Sequence, residues 1–316
     1  MRQLLQTLLT IPPKPIPATP IASWWETLLE KLSSVEGAFA RAVLGGFYAD
    51  RIGFAFAAGY QAALSSLFPH PPSTLASLCV TEEKGGHPSA IQTTLQSAGQ
   101  GFTLHGVKRF ATLGAEAKCL FVLATRGEQA GRKDFALVRV EVASANGLRF
   151  VSLPETPFTP EIGHASAHFD NTRVSKGEVL PGDGYARYIK PFRTAEDCHV
   201  FAAVLGYLVQ SARRLGWPKH AVHEVLALLA AFSVVAQEAP HDPSIHLACE
   251  GAMQAARQCL TRLAPYWETA PTEESARWTR DLSLLSIAER VREQRVNRAW
   301  EDLQARVPLP ERTPTS

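Results

Sequence analysis

A change of hydrophobic period constrains this chain more than any other feature. From Leu78 to about Leu180, short β-branched and aromatic runs follow one another, whereas both flanks repeat with helical spacing. The runs are "FTLHGVKRFAT" (102–112), "AKCLFVLATR" (117–126), "DFALVRVEV" (134–142), "GLRFVSL" (147–153) and "ASAHFDNTRV" (165–174). Turn material such as "GEQAGRK" and "PETPFTPEIG" separates them. Short strands in succession, with no helices between them, predict an antiparallel sheet or open barrel and exclude a βαβ fold.

The flanks are helical. "SWWETLLEKL" opens with Ser23 and carries Glu26 three residues later, which predicts a capping box. "GAFARAVLGGFYADRIGFAFAAGYQAALSSL" is apolar on most sides and so predicts a buried helix, broken by "FPHPPST". After the turn "PGDGYARYIKPFRT", helices are expected over 195–215, 218–237, 243–267 and 272–305, forming an antiparallel bundle. The expected fold class is α+β. A Pro-rich N-terminal segment (1–22) leads to a helical domain (23–77), a central β-domain (78–183), a helical bundle (184–307) and a disordered tail (308–316).

Composition removes several functions. A net charge of +2 with no Lys/Arg run gives no footprint for nucleic acid. No apolar run approaches the roughly 20 residues that span a bilayer. Five scattered cysteines without a C-x-x-C point to a reducing compartment, and a cytoplasmic location is expected.

The stretch "CVTEEKGGHPSA" (79–90) invites a phosphate loop, but it has neither Walker order nor a G-x-G-x-x-G between strand and helix. Metal sites fare no better. His164 and His168 would lie roughly 13 Å apart along a strand, and the pair His220/His223, like His241 and His246, has no clustered carboxylate or cysteine partner. No G-x-S-x-G elbow supports a serine hydrolase. Thr81 and Thr112, with Phe110 two residues before the latter, remain. Strand alternation puts 110 and 112 on one side, an aromatic-plus-hydroxyl surface suited to a flat heterocycle. Ordinary strand-end threonines are the equal alternative.

These stretches resemble the acyl-CoA dehydrogenase family of flavoenzymes. The family's V-T-E-P-x-x-G-S-D is similar to Val80-Thr81-Glu82-Glu83-Lys84-Gly85-Gly86-His87-Pro88, and its G-x-K-x-[WF]-[IV]-[TS]-N-[GA] to the run from Gly106 to Gly114. A third signature, F-[DE]-x-[VT]-x-V-P, is similar to the run from Phe169 to Ser175. The resemblance covers about 78–193, with matching texture elsewhere. It implies FAD as cofactor, with Val80, Thr81, His87, Phe110, Ala111 and Thr112 as the residues that hold it. The implied reaction is α,β-dehydrogenation of an acyl thioester, bound to CoA or a carrier protein, with an electron-transfer partner and a homodimeric assembly. A relative that kept the fold as a non-catalytic binding protein is the alternative.

The chain also departs from the family's pattern. His87-Pro88 replaces Ser-Asp, "RRLGW" (213–217) replaces R-x-x-F-G, and the Gly-Gly loop near the C-terminus is missing. The family's base follows an R-D pair in R-D-x(6)-Y-E-G. Arg280-Asp281 puts Glu289 at that position, without the glycine. A second register makes 282–303 one helix, with Leu284, Ile287, Ala288 and Val291 buried and Glu289 in solvent.

Overall fold

The computed structural model describes residues 1–69 and 73–306. The tail expected from 308 onward lies outside them, as do residues 70–72 of the helix-breaking "FPHPPST".

Four helices precede the sheet: α1 (Arg2–Thr10), α2 (Ile21–Lys31), α3 (Ala38–Tyr48) and α4 (Ile52–Leu67). Leu4 and Leu8 form the buried stripe of α1, each contributing about 1.5–3 kcal/mol by leaving water. The proline-rich strap that follows is pinned along its length. Ile16 N–H donates to the Tyr48 carbonyl at 2.8 Å, and Gln210 Nε2 donates to the Pro13 carbonyl at 3.0 Å.

Two helical expectations need correction. α2 begins at Ile21 after Pro20, with no side-chain cap, so Ser23 lies inside the helix and the capping box does not form. Ile21 is buried, so the apolar stripe reaches back past Ser23 and the helix starts with it. The apolar run 37–67 is buried as expected but is two helices, because the chain turns at Ala49–Arg51. There Arg51 Nε and Nη2 grip the Asp50 carboxylate at 2.9 and 2.8 Å.

Among the described residues the sheet has seven strands: β1 (Ala76–Cys79), β2 (Thr94–Ala98), β3 (Gly101–Thr112), β4 (Cys119–Gln129), β5 (Arg132–Glu141), β6 (Leu148–Ser152) and β7 (His164–Val174). Its order is β1-β4-β2-β3-β7-β6, with β5 added on β4. The pairing is mostly antiparallel, with β1 and β2 running parallel to β4. The free edge of β1 is docked by α4. Gln61 exchanges two hydrogen bonds with the Ala76 backbone, at 2.8 and 2.9 Å, and Tyr60 Oη accepts from Leu78 N–H at 2.8 Å.

A one-turn π-helix (Tyr185–Ile189) leads into α5 (Lys190–Arg214), followed by α6 (Lys219–Val235), α7 (Pro243–Leu263), α8 (Thr272–Asp281) and α9 (Glu289–Gln304). α5 therefore starts five residues earlier than expected. It passes against α3 at glycine contacts: a Cβ on Gly46 would fall 1.8 Å from the Ala203 carbonyl oxygen. Helices from both ends of the chain share one apolar core.

The expected single helix over 272–305 is interrupted by a 3₁₀ stretch, Leu282–Ser286. Its expected buried stripe is not buried either, since Ile287 is 59% and Val291 41% exposed. Arg292 sets the register instead. It is buried, donating to Asp197 on α5 at 2.9 Å and to the Leu285 carbonyl at 3.0 Å. Among the described residues no helix is long and apolar enough to cross a membrane.

Candidate functional site

Three pieces of chain meet where β1 ends. After Cys79 the backbone continues through Val80 and Thr81 into a tight turn, closed by Glu82 N–H to Gly85 O at 3.1 Å and Gly85 N–H to Glu82 O at 2.9 Å. Gly85 has φ +104°, which a side chain would strain. The Glu82 carboxylate is buried and accepts four hydrogen bonds: from Gln92 N–H at 2.7 Å, Thr93 N–H at 3.0 Å, Thr93 Oγ1 at 2.8 Å and Lys108 Nζ at 2.6 Å. Burial alone would raise its pKa. The Lys108 charge and the hydrogen bonds outweigh that and hold the group below the usual carboxylate range. Lys108 comes from β3 and is fully buried.

One step further along β3, Arg109 N–H donates to the Thr81 carbonyl at 2.7 Å. The β1 strand end and the later part of β3 are therefore held together by one buried ion pair and one backbone bond. The pairing of β3 with β7 then slips between Lys108 and Ala111. Strict alternation would put Phe110 inward with Lys108. The bulge instead gives that inward place to Ala111, which is fully buried, and leaves the Phe110 ring 54% exposed at φ +57°. The period of two therefore breaks between Lys108 and Phe110, while exposed Phe110, buried Ala111 and half-buried Thr112 keep the expected two-residue spacing between 110 and 112. The Arg109 guanidinium lies 5.8 Å from the Phe110 ring centroid. Thr112 ends the strand, partly buried and paired with His164.

The remaining candidates fall differently. His87 does not project as a free ligand. Its Nδ1 lies 2.8 Å from Ser89 Oγ and accepts from Ser89 N–H at 3.3 Å, capping a 3₁₀ turn over Pro88–Ala90. Glu289 is exposed on the first turn of α9, and among the described residues no hydrogen bond or ion pair joins it to the strand ends. "RRLGW" is a helix terminus, with Gly216 at φ +67°. Its arginines are committed within the chain, Arg213 to the Leu8 and Ile11 carbonyls and Arg214 to Glu274. Arg280 grips its neighbour Asp281, whose Oδ1 accepts from Thr159 N–H at 2.8 Å.

Three of the histidines weighed as metal ligands have other partners. His168 lies 3.1 Å from an Arg149 nitrogen, His220 3.0 Å from Tyr266 Oη and His246 2.9 Å from Thr194 Oγ1. All five cysteines are free and buried. Burial pushes Cys79 and Cys249 up to about 12, so neither is a thiolate near neutral pH.

Sequence reading missed two residues, Arg193 and Glu196, which lie one turn apart on α5. A Cβ on Gly86 would sit 3.4 Å from Thr81 Oγ1 and 3.9 Å from Arg193 Nη2, so the Thr81 hydroxyl and the Arg193 guanidinium converge on the glycine turn. Glu196 is partly buried. Burial first, and Asp197 second, push its pKa up to about 7 against the pull of Arg193, Arg292 and Arg295. The signal available in the sequence was the acidic pair Glu196-Asp197 at the head of a long apolar helix. Its meaning depends on neighbours brought in by α4 and α9.

Residues 77–172 match the family profile described as acyl-CoA dehydrogenase, middle domain. No curated protein matches the sequence of the chain. The fold is similar to butyryl-CoA dehydrogenase from Megasphaera elsdenii, at 15% identity over 89% of this chain and 87% of that one, with a TM-score of 0.68. It is similar to the acyl-CoA dehydrogenase from Geobacillus kaustophilus, at 16% identity over 91% and 90%, with a TM-score of 0.64. The prolyl acyl carrier protein oxidase AnaB is also similar, at 14% identity over 94% and 96%, with a TM-score of 0.66. At these identities the likeness establishes the fold.

Proposed function

With residues 77–172 forming an acyl-CoA dehydrogenase middle domain inside an acyl-CoA dehydrogenase fold, we propose that the chain is an FAD-dependent oxidoreductase acting on the α,β-bond of an acyl thioester. The observation that carries this reading is the joined strand end. The Arg109–Thr81 bond and the Lys108–Glu82 pair bring an exposed aromatic ring and two threonine hydroxyls to one end of the sheet. That donor set fits an isoalloxazine: a π-face from Phe110, with hydroxyl and backbone N–H donors from Thr81 and Thr112. Bound there, FAD would supply the acceptor for the hydride that leaves the β-carbon.

The chain must then supply a carboxylate that takes the α-proton. Glu196 is the candidate favoured by burial, by a pKa of about 7 and by its place one turn from Arg193. Arg193, close to the Thr81 hydroxyl, is suited to hold the thioester's polar groups. Glu289 is the second candidate. A CoA or carrier-protein thioester as substrate, an electron-transfer partner and self-association belong to the same reading.

Absorbance of the purified protein tests it. Oxidised-flavin bands, bleached anaerobically by an acyl-CoA or an acyl carrier protein, are expected. A colourless protein that takes up no added FAD would overturn the proposal, and flavin that no thioester bleaches would point to a binding protein instead.

A further inference from the structure

The Arg280-Asp281 pair has a place in the fold that the reading of Glu289 leaves unused. Asp281 ends α8 and is fully buried. Arg280 holds both of its oxygens, at 2.6 and 2.9 Å, and reaches Glu161 at 3.5 Å. Asp281 Oδ1 also accepts from Thr159 N–H at 2.8 Å, across 122 residues of sequence. A hydrogen bond from a backbone N–H to a carboxylate is stronger than one between neutral groups. This one clips the turn between β6 and β7 to the helical bundle. Glu161, on the same turn, rests on the start of α4, where a Cβ on Gly53 would fall 2.0 Å from its Oε1.

From Thr159 a short path leads to the end of β3. Ile162 N–H donates to the Thr159 carbonyl at 2.9 Å, and the Ile162 side chain is buried in the helical core. The Gly163 carbonyl accepts from Leu113 N–H at 2.9 Å, and His164 pairs with Thr112. Backbone strain follows the same path. Five non-glycine residues have positive φ among the described residues, and three of them are Phe110, Leu113 and Thr159, at +57°, +59° and +43°. Thr159 is β-branched, and such a residue holds positive φ only where its surroundings over-determine it. Asp281 and the buried Ile162 are those surroundings.

We propose that Asp281 is a positioning residue for Thr112, acting through the β6–β7 turn. By holding Thr159 it fixes Gly163, and with it the end of β3 that presents the Thr112 hydroxyl. The inference rests on the flavin reading for its ligand, while the turn itself can be followed without one.

The test combines amide exchange with FAD titration of the flavin-free full-length chain, for wild type, Asp281→Ala, Thr112→Val and the double variant. Asp281→Ala is expected to speed exchange at Thr159 roughly tenfold to a hundredfold, the range of a hydrogen bond to a charged group, and to speed it at Leu113 as well. Each single variant should weaken FAD about twofold to tenfold, the range of one ordinary hydrogen bond. The double variant should bind no more weakly than Thr112→Val alone, because Asp281 acts through that hydroxyl. Losses that multiply, or unchanged exchange at Leu113, would overturn the proposal. Asp281→Asn keeps an uncharged acceptor, so intermediate exchange and affinity are expected of it. Should Asp281→Ala not fold, this variant decides, and wild-type exchange at Thr159 and Leu113 would overturn the proposal. A wild type that takes up no FAD would sink the flavin reading, and exchange at Leu113 would then decide whether Asp281 sets the end of β3.

Discussion

The Lys108 ammonium lies 2.6 Å from the Glu82 carboxylate, inside the β-domain and across 26 residues of sequence. Removing one partner leaves the other charge buried, which costs about 3–5 kcal/mol. Lys108→Met and Glu82→Gln are each expected to lose stability on that scale in urea unfolding. The double variant should lose clearly less than their sum. Additive losses would mean the two residues do not act as a pair.

The same carboxylate gives a pH dependence. Lys108 and the hydrogen-bond donors hold the folded pKa of Glu82 below its unfolded value. Its contribution is therefore full above the unfolded pKa, about 4.3, and is lost as pH falls through the folded one. Wild-type stability should drop below about pH 4 more steeply than that of Glu82→Gln. Parallel acid profiles would contradict this.

Phe110 gives a second stability test. An exposed aromatic at φ +57° contributes little packing and holds a conformation that costs about 1 kcal/mol or more for a non-glycine residue. Phe110→Gly should leave melting unchanged or raise it slightly, while weakening flavin binding. A melting temperature several degrees lower would mean the ring is part of the core.

How much of this was readable in the sequence follows from where each contact is made. β3, β4 and β5 alternate or run apolar over ten or more residues, so their existence is a local property. β2 escaped because only Leu95 is buried and Gln96, Ser97 and Ala98 are exposed, leaving no period to see. The break between α3 and α4 is carried by the polar pair Asp50-Arg51 within an otherwise apolar run. At the site, Thr81, Phe110 and Thr112 lie on strand ends that local pattern could find. The bulge at 109–110 depends on pairing with β7, and Glu196 acquires its character from Arg193, Asp197, Arg292 and Arg295, two of which are about 100 residues away. Chemistry that depends on distant burial leaves little trace in period or spacing.

Asp197 ties the end of the chain to its centre. Its carboxylate accepts from Arg292 Nε at 2.9 Å and from Arg295 at 2.5 Å, and all three side chains are largely shielded. Asp197→Asn should loosen α9 selectively, because α9 has only two fully buried residues of its own, Arg292 and Ala299. Hydrogen exchange is expected to speed up over 289–304 while α3 and α5 stay protected. Uniform acceleration across the fold would show that α9 unfolds only with the whole.

Glu196 separates the two candidate bases. Burial raises its folded pKa to about 7, whereas in the unfolded chain it titrates near the usual 4.5. The sign follows from linkage: the fold favours the protonated acid. Its contribution is complete below the unfolded pKa and is lost as pH rises through about 7. Wild-type melting should therefore fall between pH 5 and pH 8 relative to Glu196→Gln, which cannot ionise. If Glu196 takes the α-proton, flavin reduction by an acyl thioester should speed up as pH rises through the same region. Glu196→Gln should then lose about 10²–10⁴ in rate, the usual contribution of a positioned base, with flavin content unchanged. Glu289→Gln, altering an exposed side chain on α9, should retain the wild-type rate. The reverse result, with Glu289→Gln inactive and Glu196→Gln active, would move the base to the chain's last helix and leave Glu196 as a buried acid without a catalytic part.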